Sequence, residues 1–233
     1  MEQNKHKVIV IGGTSGIGLA TAQMLLTMGA TVTVSGRKVD GFDVKGLKAV
    51  AVDAADQAAL KSFYAEEGSF TDLVICVSGA KGAGPARELS VEDLEQGFQA
   101  KFFNQFRAFQ QALPTLAKNG SVTFVSAISA RMANPGTVGL AAINGAIEAM
   151  VKPLAKELQP LRVNAVSPGV VETTWWNSVP AETREALLKQ AASQATVGRN
   201  GRPDELAQAI VFLITNGFVS GTVLEVDGGL HLQ

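Results

Sequence analysis

The sequence predicts an α/β protein, a single domain of parallel sheet with helices on both faces. Three observations predict it. Short β-branched runs alternate with longer helical stretches along the chain. Each short run is continuously apolar rather than alternating, the pattern of a strand covered on both faces. And 24 glycines in 233 residues, with 46% hydrophobic side chains, point to many tight turns between short buried elements.

Taken in order, KVIVI (7–11) is a buried strand, and a helix follows over about 17–28. It stops at Gly29, a C-terminal glycine signal. TVTVS (31–35) and KAVAV (48–52) are the next strands, before a helix over about 56–66. DLVICV (72–77) is the fourth strand. Ser90-Val91-Glu92-Asp93 then sets a capping residue with an acid at the third position, so a long helix starts there and runs to about Leu113. SVTFVS (121–126), a helix over about 140–158 and RVNAV (162–166) follow. Residues 172–202 are the least regular stretch. That length is too great for a simple connection, so it is expected to carry one or two short helices and to act as a lid, rather than as an ordinary surface excursion. A last helix opens at Pro203-Asp204-Glu205-Leu206 and ends near Asn216-Gly217, and TVLEV (222–226) is the seventh strand. Such alternation implies a parallel sheet with right-handed crossovers. No repeat, low-complexity tract or linker divides residues 1–233.

Composition excludes several classes. Twenty basic and 21 acidic residues give a formal charge of -1, with no electrostatic footprint for nucleic acid and no polybasic anchor for a membrane. One cysteine allows no intrachain disulfide, and one cysteine with two histidines builds no structural zinc site; no metal site is expected. The polar start MEQNKHK and the four-residue apolar run after it make no signal peptide, which takes roughly 7–15 apolar residues. A cytoplasmic protein is expected, in which Asn119-Gly120-Ser121 has no meaning as a glycosylation site.

The first strand runs into Gly12-Gly13-Thr14-Ser15-Gly16-Ile17-Gly18 and then a helix, the context in which a glycine loop binds a diphosphate. Gly12 makes the tight turn, Gly16 lets the backbone approach the anion, and Gly18 lets the helix pack closely. The helix N-terminus offers free N–H groups and a positive dipole. The spacing, glycine, three residues, glycine, one residue, glycine, resembles that of the short-chain dehydrogenase/reductase family. Asp53 after the third strand, Asn164-Ala165-Val166-Ser167-Pro168-Gly169 with Thr173 following, and Asp227-Gly228-Gly229 are similar to further family markers, in order and over essentially the whole chain. The resemblance implies one Rossmann domain, a seven-stranded parallel sheet with three helices on each face. It also implies a dinucleotide site lined by Gly12, Thr14, Ser15, Gly16, Ile17 and Gly18, by Ser35, Arg37, Asp53, Ala54, Ser78, Gly79 and Asn144, and by Pro168, Gly169, Val171 and Thr173.

An acid at the end of the second strand would hold the 2′-hydroxyl of NAD. Here the strand ends Ser35-Gly36-Arg37-Lys38, with no acid. Arg37 suits a 2′-phosphate, with Ser15 and Ser35 as further donors, so NADP(H) is the expected cofactor. The competing reading is that Arg37 and Lys38 solvate a surface turn.

The family's chemistry rests on a Tyr and a Lys four residues later, with a Ser on the preceding loop. This chain lacks them: Leu140 falls at the Tyr position, Asn144 at the Lys position and Ala127 at the Ser position. The only tyrosine is Tyr64, in an earlier helix. The family's Asn on the long helix, thirteen residues before the Pro that ends it, is replaced by Lys101. Phe98, Lys101, Gln105 and Ala108 share one helical face, so Lys101 is expected to point inward and to serve as the acid, with Ser126 or Ser129 orienting the substrate oxygen. The competing readings are a solvent-facing or snorkelling Lys and a step that needs no acid, on an already cationic iminium or on a conjugated alkene whose oxygen water protonates. Asn144 keeps an amide for ribose hydroxyls. Cys76 is read as a packed thiol, and His6 and His231 as surface or terminal groups without a catalytic role.

The resulting expectation is an atypical NADPH-dependent reductase of a small to medium apolar carbonyl, imine or conjugated alkene. Leu140, Met132, Trp175 and Trp176 would line its pocket. Two rivals stay open, an NADP(H)-binding sensor or scaffold without hydride transfer and a cyclase or isomerase built on the same fold. The apolar long helices, with Phe102, Phe103, Phe106 and Phe109, predict a homodimer or homotetramer.

Overall fold

The computed structural model describes residues 6–233, with Ser178 described by its backbone alone. Seven strands form one parallel sheet: β1 (Lys7–Ile11), β2 (Thr31–Gly36), β3 (Lys48–Ala51), β4 (Phe70–Ile75), β5 (Leu116–Val125), β6 (Arg162–Pro168) and β7 (Val223–Val226). Their order is β3-β2-β1-β4-β5-β6-β7. The order reverses between β1 and β4, so the connections leaving these two strands diverge and open a crevice at their C-terminal ends.

Every strand alternates its apolar residues between two buried layers. Val8, Val10, Val32, Val34 and Val166 face one way, against α1 (Gly16–Thr27) and α7 (Pro203–Thr215). Ile9, Ile11, Leu73, Ile75, Val122, Phe124 and Val163 face the other. That second layer is closed by α2 (Gln57–Glu67), α4 (Asn104–Ala112) and α5 (Val138–Glu157). α5 is long and apolar enough to cross a membrane by length and composition, but it lays Ile147 and Val151 into this layer and is a core helix.

The caps read from sequence form. Ser90 accepts from the Asp93 N–H at 3.0 Å at the start of α3 (Val91–Phe98), and Asp56 accepts from Ala59 at 2.9 Å before α2. Three features differ from expectation. The long helix is not uniform: α3 passes through a π turn, Gln99–Phe103, into α4. The resemblance implies three helices on each face, but residues 37–47 join β2 to β3 without a helix, because Gly41 and Gly46 sit at φ 74° and 89° and turn the chain twice. β5 starts at Leu116, earlier than the apolar run, and its register against β4 shifts between Phe70 and Asp72. Residues 172–202 hold a 3-10 turn, Thr174–Ser178, and α6 (Ala181–Gln194).

His6 lies at the opposite, N-terminal edge of the sheet, where its Nδ1 is 2.7 Å from Oδ2 of the buried Asp72. It is thus a structural partner rather than a free terminal side chain.

Candidate functional site

The glycine loop is shaped by close approaches that a side chain would block. Gly12 has φ 78° and Gly16 φ 53°, both left-handed. A Cβ on Gly18 would stand 2.2 Å from the Gly12 carbonyl oxygen, so only glycine lets α1 press onto the loop. Ser15 precedes α1 with extended backbone, and its side chain makes no capping hydrogen bond. The first-turn N–H groups, those of Gly16 and Ile17 included, therefore aim out of the helix without a side-chain cap. Thr173 stands over Gly16, within 3.4 Å of where its Cβ would be, so the loop after β6 and the phosphate loop meet.

At the end of β2, Arg37 is exposed. Thr14 lies against Gly36, where a Cβ would come 2.5 Å from its Oγ1. Ser35 corrects an expectation: it has no exposed surface and its hydroxyl is buried without a partner. It acts through its carbonyl, which accepts from Gly12 and Gly13 at 3.0 Å each. Asp53 is exposed and accepts from the Ala55 N–H at 2.9 Å, while Ala54 is buried and its carbonyl accepts from Arg107. Ser78 is exposed after β4, and Gly79 is pinned against Ala100, whose Cβ would lie 2.8 Å from an added one. Pro168 and Val171 are buried, and Gly169 abuts the backbone of Asp227. These three shape the loop with their backbone. The cradle, the free helix start and the exposed Arg37 guanidinium at the end of β2 fit a dinucleotide with a phosphate on its ribose.

The other half of the candidate site is built around the π turn. An extra residue in one turn re-aims the side chains that follow, and Lys101 lies inside it. Its Nζ donates to the Ser126 carbonyl oxygen at 3.0 Å. One turn on, Gln105 is fully buried and donates to the carbonyls of Val77 and Val125, 2.9 Å each, tying α4 to the ends of β4 and β5. Burial pulls the Lys101 ammonium down from 10.5 to about 8, against the opposing influence of Cys76 and Glu148. Cys76 is half-buried, and burial pushes its thiol up to about 12.

Asn144 is almost fully buried on α5. Its Nδ2 donates to Ser129 Oγ at 3.0 Å and to the Leu140 carbonyl at 2.9 Å, leaving its Oδ1 buried without a partner. That orphaned acceptor suits a hydroxyl donor such as a ribose. Ser126 corrects a second expectation. The residue is 2% exposed and its hydroxyl donates to Glu148 Oε1 at 2.8 Å, so it is not free for a substrate oxygen, whereas Ser129 is only half-buried. Glu148 and its partner Arg131 join this cluster without being among the residues the family spacing points to. The signal was there: Leu140, Asn144 and Glu148 recur every four residues on a mostly apolar helix.

The residues read as one substrate pocket lie apart. Trp176 lines an open cleft of about 610 Å³ with Gly16, Leu19, Thr173, Arg184 and Leu188, between α1 and α6. Trp175 crosses it edge-on at 5.0 Å and is 43% exposed. Met132 instead packs with Ile128, Ala195 and Leu230 under the C-terminus, and neither it nor Leu140 lines the cleft. His231 pairs with Asp227 at 2.7 Å. No cluster of metal-binding side chains occurs among the described residues.

A parallel sheet with a glycine loop at its switch point and a half-buried Lys beside it defines a dinucleotide-binding oxidoreductase scaffold. A family model described as enoyl-(acyl carrier protein) reductase matches residues 12–231. The chain belongs to the short-chain dehydrogenase/reductase family. It is 30% identical to 3-oxoacyl-(acyl-carrier-protein) reductase FabG of Thermotoga maritima, over 95% of this chain and 96% of that one. A solved small-chain dehydrogenase in complex with NADPH matches with TM-score 0.86 at 31% identity, over 99% of this chain and all of that one. The structure of MalC reductase/Diels-Alderase from Malbranchea aurantiaca matches with TM-score 0.86 at 25% identity, covering 98% and 97%.

Proposed function

We propose that this chain is an NADPH-dependent reductase in which Lys101 replaces the family's tyrosine as acid, acting on a small to medium apolar carbonyl, imine or conjugated alkene. The observation that carries the reading is the inward Lys101 ammonium at the Ser126 carbonyl, one residue before the family's serine position. Reduced nicotinamide, when bound, supplies hydride to the substrate carbon. Arg37 holds the 2′-phosphate, and the start of α1 holds the diphosphate. The free Oδ1 of Asn144 accepts from a ribose hydroxyl, and Ser129 orients the substrate oxygen. Lys101 gives that oxygen its proton, which it can do below about 8 and loses as pH rises through that value. Residues 172–202 act as the lid of the site, with Trp176 lining the cleft against α1.

In Lys101→Met, kcat should fall by about 10²-fold, the low end of what a general acid supplies, with the NADPH Kd little changed. An unchanged kcat, or a Kd that rises with the loss, removes Lys101 from this role. A second reading, cyclisation with the dinucleotide as a structural part, is favoured by Leu140 at the acid position and by the likeness to a reductase/Diels-Alderase. Turnover that proceeds equally with NADP+ would select it. Tight NADPH binding with no chemistry on any carbonyl, imine or alkene would select a sensor.

A further inference from the structure

Glu148 is a charged side chain that the site as described leaves without a role. It lies one turn beyond Asn144 on α5, with 10% of its side chain exposed. A carboxylate is costly to bury unless partnered, so its partners indicate its job. Oε1 accepts from Ser126 Oγ at 2.8 Å, and Oε2 accepts from Arg131 Nε at 3.0 Å and Nη2 at 2.9 Å. Ser126 and Arg131 are the two ends of the turn around Ile128–Ala130 that carries Ser129. A single carboxylate therefore grips both ends of the segment whose Ser126 carbonyl receives Lys101 and whose Ser129 hydroxyl receives Asn144. Arg131 is held from its far side by Glu225 on β7, and Glu225 lies 3.3 Å from His231.

We infer that Glu148 is the positioning residue of this site: it clamps the turn 126–131, whose Ser126 carbonyl receives Lys101, and stands as the counter-charge of that ammonium. Its catalytic consequence rests on the reading of Lys101 as the acid. The titratable groups facing Lys101 are Cys76 at the end of β4 and Glu148 on α5, with Arg131, Glu225 and His231 behind Glu148. The Cys76 thiol, pushed up to about 12, is neutral across the working range. Among the described residues the remaining charge acting on the ammonium is therefore that of Glu148, opposing the downward pull of burial.

The test is a side-chain NMR titration of the full chain labelled at lysine Cε, without cofactor, the Lys101 signal assigned by its loss in Lys101→Met. The wild-type midpoint is expected at about 8. Glu148→Gln keeps an oxygen for Ser126 and should move it down by about 1 unit, the lower end of the effect of one neighbouring opposite charge. Arg131→Met leaves Glu148 without its cation and should move it up, which keeps the test open should the Gln variant not fold. In Glu148→Gln the alkaline fall of kcat should shift with the midpoint, while the NADPH Kd stays. A midpoint unmoved in the folded variants, or moved down in Arg131→Met, overturns the proposal. A midpoint that moves while the kcat profile does not supports Glu148 as Lys101's counter-charge and removes Lys101 from the acid role instead.

Discussion

Replacing Lys101 by Met is expected to make the protein more stable at pH 7 while slowing it as an enzyme. Burial lowers the Lys101 pKa from 10.5 to about 8, so between those values the unfolded chain binds the proton that the folded chain has lost. Below about 8 the folded protein carries the whole penalty, which at about 1.4 kcal/mol per unit comes to about 3 kcal/mol. Met removes it. The substitution also strips the Ser126 carbonyl of its donor, which costs about 1–3 kcal/mol. The net gain at pH 7 is about 1 kcal/mol. As pH rises through the window above 8, wild type sheds its proton and recovers about 2 kcal/mol by pH 9.5. The order of the two proteins therefore reverses. Urea unfolding of both at pH 7 and pH 9.5 reads this directly. A stability difference that stays the same at the two pH values would refute the reasoning, because it would mean that the ammonium is solvated in the folded chain.

Arg37→Ala should weaken NADPH about tenfold or less, since the guanidinium is exposed, and leave NADH unchanged, as read by cofactor fluorescence. Gly18→Ala drives a methyl to 2.2 Å from the Gly12 carbonyl; overpacking of this kind costs about 1–3 kcal/mol, and it should lower Tm by about 2–4 °C per kcal/mol and displace α1 from the diphosphate. Leu140→Tyr with Asn144→Lys should raise the turnover of simple ketones, measured as NADPH consumption. It should also cost stability, because residue 144 is 3% exposed and bonded to Ser129. Light scattering at micromolar concentration should give the mass of two or four chains, since Phe103 is 42% exposed beside stacked Phe102 and Phe106.

What the residues alone determine here is local. Continuous apolar runs dictate a sheet covered on both faces, because strands with no polar side have nowhere else to go. The glycines at 12, 16 and 18 dictate a loop that only residues without Cβ can make, and the loss of Tyr and Lys at 140 and 144 is a plain reading of identities. Side-chain direction is another matter, since it depends on partners remote in the chain. Lys101 reaches the Ser126 carbonyl from within a π turn that helical spacing does not predict. Ser126 has its hydroxyl taken by Glu148, 22 residues on. Ser35 looked like a phosphate ligand by position, but the sheet buries its hydroxyl completely. Met132 and Trp176 looked like one pocket by composition, and the C-terminal turn claims the first while α1 faces the second. Residue identities thus settle which groups are available. Packing between distant segments, which sets burial and hydrogen-bond partners, settles which of them face the site.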